Sequence, residues 1–327
     1  PTPPTPPTTT RPSGTLTPAS TTTARASGTL TPTQTAATTT TTRTAAPTAA
    51  TTAANNPNTA GETFRVRTSG TLIEGDAFEI VTRVVEAEIG GGFHAEAIKA
   101  QVIAAYTYIK RHNETGSIPN LPTRPQASER VLRYAREVWG QAIYHEGALI
   151  QAAFSASSAG WTSSALNVWG RDIPYLQSRR TAFDEQHDPR WQNTRIYTAA
   201  EIRENVLRET KIALSGDPAA WLAINGHVDT VYVGQMTIGG QTSYTAANGS
   251  AVQITGRVFR EQIMAFNLRS ASFTFTYNRA DDTFIFTTNG FGHGVGMSQN
   301  GANSLATHLG YSYREILLFY YQGVTVR

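Results

Sequence analysis

Ala77-Phe-Glu-Ile-Val-Thr-Arg-Val-Val-Glu-Ala-Glu-Ile89 runs into Gly90-Gly91-Gly92, and a second long run follows from His94 to Arg111. The first run reads as a helix, because Phe78, Val81, Val84, Val85 and Glu88 fall on one side at helical spacing. Glu79, Arg83 and Glu86 line the other side, so Glu86 is expected as a solvated residue with an arginine partner. Glu88 stands apart, on or beside the apolar stripe at the helix end. Burial penalises the charged form of a carboxyl there, so its pKa should rise. A carboxyl still protonated near neutrality can serve as the general acid of glycosidic-bond cleavage. The glycines behind it leave room for backbone or ligand to come close. A helix-end glutamate is also an ordinary structural feature.

The second run carries Ala95, Ala97, Ala100, Ala104 and Ala105, with Ile98, Val102, Ala105 and Ile109 as its stripe. So many small residues permit close packing on the first helix, and Gln101 is expected to hydrogen-bond in or near that interface. Such a pair can hold Glu88 rigidly, or it can be a hairpin without function. Working outward, Thr63–Arg67 reads as a strand and Pro125–Gln141 as a helix with Pro125 in its first turn. Ala148–Ser155 reads as a strand leading into Ser155-Ala-Ser-Ser-Ala-Gly-Trp-Thr162. There Ser157, Ser158, Gly160 and Thr162 can offer hydroxyls and backbone to a polar ligand such as a sugar, with Trp161 as a flat face. The competing reading is a turn with core tryptophans, and Trp169 fits that better. Residues between Pro174 and Trp191 look irregular, and Ala199–Leu207 is an amphipathic helix.

From Val228 to Thr287 short alternating strands take over: Thr230–Val233, Ala251–Ile254, Ala271–Tyr277 and Thr283–Thr287. Helices and strands are partly segregated, which defines an α+β chain. Asn289-Gly-Phe-Gly-His-Gly-Val-Gly-Met-Ser-Gln299 then places a single histidine, His293, among four alternate glycines. It lacks the endings of phosphate-binding and dinucleotide-binding glycine loops. An exposed His293 there can bind ligand or carry protons, and a structural histidine in a glycine turn is the rival. Ser298 is placed to cap a helix from Gln299 to about His308 that Gly310 would stop. Tyr313–Tyr320 forms the last helix.

Composition narrows the function. Of 27 basic and 24 acidic residues, Arg11, Arg25, Arg43 and Glu62 fall in the first 62 positions, leaving 24 against 23. A nearly neutral fold without a basic cluster argues against nucleic acid as a partner. There is no cysteine, which removes disulfides, thiolate metal sites and cysteine nucleophiles together. The histidines form no metal-binding helix pattern, and no Gly-x-Ser-x-Gly elbow supports a serine hydrolase. No metal and no cofactor is expected. No apolar run approaches membrane-spanning length, and no signal peptide or initiating Met is present, as in a processed or trimmed chain. Residues 1–62 are rich in Thr, Pro and Ala and contain an imperfect repeat, Arg11–Pro18 against Arg25–Pro32. They read as a disordered stalk, open to O-glycosylation, or as a plain linker. A spacer of this kind favours life outside the cytoplasm.

Three groups of residues together resemble the SpoIID/LytB family. Glu86-Ala-Glu-Ile89 with His94–Tyr108 is similar to its N-terminal signature, and Phe291-Gly-His-Gly-Val-Gly-Met-Ser-Gln-Asn-Gly-Ala302 with Tyr313–Gly323 to its C-terminal one. Between them Ala159–Thr162, Pro174–Leu176, Gly256–Arg260 and Leu268–Ser270 follow in the family's order, so the resemblance covers 63–327. It implies a bilobed α+β domain with a helical catalytic hairpin and a β-rich lobe. It implies a lytic transglycosylase acting on peptidoglycan strands stripped of stem peptides, with Glu88 as the catalytic acid and then base. Gln101, Tyr106, Ser157, Ser158, Gly160, Thr162, His293, Ser298 and Gln299 are the implied substrate-binding residues. The alternative within the family is a non-catalytic wall-binding protein or enhancer of a cell-wall amidase. The chain departs from the family pattern at Ile89-Gly90, which replaces Met-Pro, at Tyr106, which replaces an arginine, and at Trp161.

Overall fold

Alternation and capping residues set the first elements of the structure, a computed structural model that describes residues 61–189 and 191–327. The stalk reading of the N-terminal segment otherwise lies outside the described residues. Strands β1 (Thr63–Thr68) and β2 (Thr71–Asp76) form an antiparallel hairpin that feeds directly into helix α1 (Ala77–Glu88). Asp76 starts α1 by accepting the Glu79 N–H at 3.0 Å. Helix α2 (Ala95–Glu114) begins at His94, whose Nδ1 accepts the Glu96 N–H at 3.3 Å. Ala97, Ala100, Ala104 and Ala105 are buried, as close packing requires.

Helix α3 (Glu129–Val138) is shorter than the spacing predicts and excludes Pro125. The cause is Glu86, which is not paired with an arginine. Its Oε2 accepts both the backbone N–H (2.9 Å) and the hydroxyl (2.7 Å) of Ser128, the residue that precedes α3. Arg83 instead meets Glu79 at 3.3 Å and the Arg124 carbonyl at 2.8 Å. Glu86→Ala should therefore cost about 1–2 kcal/mol, the scale of a lost cap, readable as a lower urea midpoint. An unchanged midpoint would mean that Ser128 finds another acceptor without loss.

Strands β3 (Ile143–His145) and β4 (Ala148–Leu149) make a second hairpin, and β5 (Phe154–Ser155) lies apart from them. The single strand expected over 148–155 is broken by a tight turn in which the Ala153 N–H reaches the Gln151 carbonyl at 2.7 Å. Two short helices, α4 (Ala165–Trp169) and α5 (Ala182–His187), fill the next stretch.

Strand β6 (Gln192–Thr198) leads into α6 (Ala199–Thr210), whose capping box joins Thr198 and Glu201. Strands β7 (Leu222–Val228) and β8 (Tyr232–Ile238) pair antiparallel, as do β9 (Ser243–Thr245) and β10 (Ala251–Gln253). A helical turn, α7 (Gly256–Val258), continues as a wider π-type turn over Phe259–Ile263. Strands β11 (Phe273–Asn278) and β12 (Thr283–Asn289) complete a sheet of order β11-β12-β6. The sequence reading missed β6 because it is an edge strand with Ile196 62% exposed, so no apolar alternation marks it.

Strand β13 (Met297–Ser298), helix α8 (Gln299–Leu309), helix α9 (Tyr313–Tyr320) and strand β14 (Thr325–Val326) return to the first half. β13 pairs parallel with β5 and β14 antiparallel with β3. Two hydrophobic cores result. One draws on residues 64–176 together with 295–324, and the other only on residues 199–286. The chain thus builds a mainly helical core, leaves it for a strand-rich one, and returns through the histidine loop. The fold is α+β.

Candidate active site

Glu88 is the last residue of α1, half-buried, with Gly90 turning the chain away at φ +63°. Its Oε2 accepts a hydrogen bond from Gln299 Nε2 at 2.9 Å. Gln299 is the first residue of α8 and is itself buried. Burial holds the Glu88 carboxyl above its ordinary pKa, and the Gln299 bond pulls in the opposite direction. Residues 211 positions apart therefore meet, one from each signature segment.

The histidine loop is held by pairing on both sides. The Ser157 and Phe291 backbones exchange two bonds of 2.9 Å, and the Ser163 N–H donates to the Gly294 carbonyl at 2.8 Å. A Cβ at Gly294 would overlap the Tyr232 hydroxyl, and one at Gly296 the Ala153 carbonyl oxygen. The alternate glycines are thus needed for backbone approach. His293 is half-buried and not an exposed loop residue, contrary to expectation. Its Nδ1 accepts the Val295 N–H at 3.0 Å, and its ring lies 5.4 Å from that of Trp169. Burial, then the charge of Arg260, lowers its pKa to about 4. Both causes favour the neutral ring.

The Ser157–Thr162 loop also differs from its reading. Ser157, Ser158 and Thr162 are buried, and their hydroxyls are spent inside the protein. Ser157 Oγ donates to the Ser158 carbonyl at 3.2 Å, and Thr162 Oγ1 accepts the Arg179 N–H at 2.8 Å. Gly160 holds a left-handed turn, φ +83°, with open space beside it. Gln101 is buried as expected, but neither amide atom has a hydrogen-bond partner. Tyr106 is buried and held by neighbours within the protein. Its ring packs on Phe64 and Trp139, and its hydroxyl donates to Glu62 at 2.9 Å. Trp139 also touches Phe78, ten residues and about 15 Å along α1 from Glu88.

Sequence reasoning missed Asp184. Fully buried on α5, it accepts the Ser158 N–H at 3.1 Å and the Ser158 hydroxyl. It sits beside Ser298, whose Oγ caps α8 through the Gly301 N–H at 3.0 Å. A side chain at Gly301 would overlap Asp184, Tyr320 and Ser298 together. No spacing pattern points to an aspartate on so short a helix. Burial raises Asp184 to about 7, against the hydrogen bonds of Ser158 and Ser298. The folded state therefore favours the protonated form. That contribution is complete below the ordinary carboxylate value of about 3.9 and is lost as pH rises through 7. Denaturation midpoints should fall between pH 4 and 8 for the wild type, and this component should vanish in Asp184→Asn. Parallel pH curves would refute the assignment.

A cavity of about 200 Å³ opens next to His293, walled by residues of α4, β7, β8 and the α7 turn. Glu88 and Gln299 are not among its lining residues.

Comparisons with known proteins identify the family. A family model described as SpoIID, stage II sporulation protein, matches residues 74–156. Stage II sporulation protein D of Bacillus subtilis (strain 168) is 31% identical over 287 residues, covering 80% of this chain and 77% of that protein. Its namesake from Bacillus amyloliquefaciens is 31% identical over 294 residues, with the same shares covered. The amidase enhancer of Bacillus subtilis (strain 168) is 25% identical over 286 residues, 74% of this chain and 39% of that protein. The fold, with its two signature segments meeting at Glu88, is that of an α+β protein. The chain belongs to the SpoIID/LytB family.

Proposed function

We propose that the chain is a peptidoglycan lytic transglycosylase, and that Glu88 carries the reaction. The single supporting observation is a desolvated carboxyl of raised pKa with one oxygen occupied by Gln299. Because Gln299 donates to Oε2, Oε1 is the atom left to hold and return a proton. Glu88 gives that proton to the oxygen bridging N-acetylmuramic acid and N-acetylglucosamine. The C1–O bond breaks, N-acetylglucosamine leaves as its alcohol, and an oxocarbenium-like centre remains at C1. The 6-hydroxyl of the same sugar then attacks C1 and returns its proton to Glu88, closing a 1,6-anhydro ring. One carboxylate serving in turn as acid and base needs no second one, unlike the usual glycosidase pair.

In this reading the partners are glycan strands, best those stripped of stem peptides, and the protein acts outside the cytoplasm at the wall. Among the described residues no helix is long and apolar enough to cross a membrane. The bilobed arrangement fits the two cores, with Glu88 on the helical one. Of the implied binding residues, Gln299 and the backbone around Gly160 and His293 remain suited to a glycan. Ser157, Ser158, Thr162 and Ser298 are better placed to shape the loop.

A second reading, a non-catalytic wall-binding protein that assists an amidase, draws on the likeness to the protein named amidase enhancer. It also draws on Tyr106, where a neutral ring turned into the core replaces the family's arginine. Mass spectrometry of peptidoglycan incubated with the wild-type chain separates the two. New 1,6-anhydro ends are expected, and glycan binding without them would favour the second reading.

A further inference from the structure

The cavity beside His293 holds more positive charge than it neutralises. Arg257 and Arg260, one turn apart, share a single acid, Glu261. Arg257 Nε meets Glu261 Oε2 at 3.1 Å and Arg260 Nη1 meets Glu261 Oε1 at 3.3 Å. All three line the cavity, and no other acidic residue does. Asp229, which follows the lining residue Val228, is engaged elsewhere, by Ser163 Oγ at 2.7 Å and by the Ser164 N–H at 2.8 Å.

The Arg260 side chain is only 8% exposed. Its Nε donates to the Leu268 carbonyl at 3.0 Å. Burial and the charge of Arg257 depress its pKa, and Glu261 alone offsets them. A desolvated guanidinium with half a counter-charge is costly unless an anion completes the pairing. A second feature lies against Arg260, outside the lining of the cavity. Phe266, 61% exposed, takes the left-handed conformation at φ +61° and stacks 5.1 Å from the Arg260 guanidinium. Bulky residues hold that conformation at a cost, and such strain clusters at ligand sites.

The remaining walls are largely apolar, including Leu166, Val168, Val228 and Val233. They suit an anion borne on a small apolar group better than a bare inorganic ion. We infer that this cavity binds a carboxylate carried on a short apolar arm, and that on a glycan strand this is the lactyl carboxylate uncovered when a stem peptide is removed. The identity of the arm rests on the proposed function, whereas the carboxylate preference does not. The site can belong to the same strand as the scissile bond. His293 on its wall and Gln299 on Glu88 are six residues apart, so their backbones lie within about 20 Å.

The test is calorimetric binding to the full chain carrying Glu88→Gln, which prevents turnover. Three tetrasaccharides of the wall type serve as probes: the peptide-free acid, its methyl ester, and the same sugar bearing dipeptides. The free acid should bind about tenfold more tightly than the ester, as expected for a charge-assisted pair. Arg257→Gln should erase that difference, and Glu261→Gln, by removing the competing acid, should enlarge it. Arg257 is partly exposed, so the variant should fold, and an unchanged melting temperature would show that it has. Equal binding of acid and ester, or discrimination surviving in Arg257→Gln, would overturn the inference. If the dipeptide-bearing sugar binds as tightly as the free acid and with the same dependence on Arg257, the lactyl source is overturned in favour of a peptide carboxylate. Should the wild-type chain make no anhydro ends while discrimination persists, the catalytic reading fails and the carboxylate site stands.

Discussion

Glu88→Gln should reduce the formation of 1,6-anhydro ends by about 10³–10⁴-fold, the upper range for general acid–base catalysis, because one group performs both proton transfers. The amide keeps the shape of the side chain, and its oxygen can still accept the 2.9 Å bond from Gln299. Burial disfavours charge at this position, so the neutral variant should be at least as stable as the wild type. Its melting temperature, measured beside product counts by mass spectrometry, separates lost chemistry from lost folding. A cleavage rate within tenfold of the wild type would sink Glu88 as the acid. The pH profile gives a second check. Catalysis needs Glu88 protonated, so activity should fall as pH rises through its raised pKa. Gln299→Leu keeps the site dry and removes the donor that favours the carboxylate. Its alkaline limb should move to higher pH. A limb that stays in place would mean that another group sets it.

How far the sequence reveals such a site depends on whether its signal is local. Helices α1, α2, α8 and α9 were legible because capping residues and apolar spacing sit within a few positions of each other, as with Ser298, Gln299 and Gly310. The separation of Glu88 from Glu86 was legible for the same reason, since it follows from helical period alone. The partners of each were not. Glu86 reaches Ser128 and Glu88 reaches Gln299 through tertiary packing, about which spacing along the chain is silent. Hydroxyl-rich composition misled at Ser157, Ser158 and Thr162. A serine that faces a sugar and one that ties a loop look alike in one dimension, and burial alone tells them apart. Asp184 is the same problem in reverse, an acid whose importance comes wholly from being surrounded.

Gly296→Ala should destabilise the chain by about 3–5 kcal/mol, a value few single substitutions reach. Gly296 holds φ +75°, where any Cβ is strained by roughly 1–2 kcal/mol. The added carbon would also overlap the Ala153 carbonyl oxygen and lie 3.2 Å from Tyr321 Cε1. That oxygen cannot retreat cheaply. It accepts the Met297 N–H at 3.0 Å and the Tyr321 hydroxyl at 2.8 Å, and Tyr321 is fully buried. Yielding at Ala153 breaks those bonds at the foot of the β5–β13 pair, and yielding at Gly296 shifts Met297 and Ser298. Either way the start of α8 moves, and with it Gln299. Gly160→Ala is the control, because Gly160 has the same left-handed backbone at φ +83° but nothing within 4 Å of its would-be Cβ. It should lose only the backbone term. Urea denaturation of the two variants therefore isolates the effect of close approach. Equal midpoints would mean that the glycines of the histidine loop serve backbone conformation alone. A much lower midpoint for Gly296→Ala would mean that the loop is glycine-rich in order to lie against Ala153, so that Gln299 arrives at Glu88.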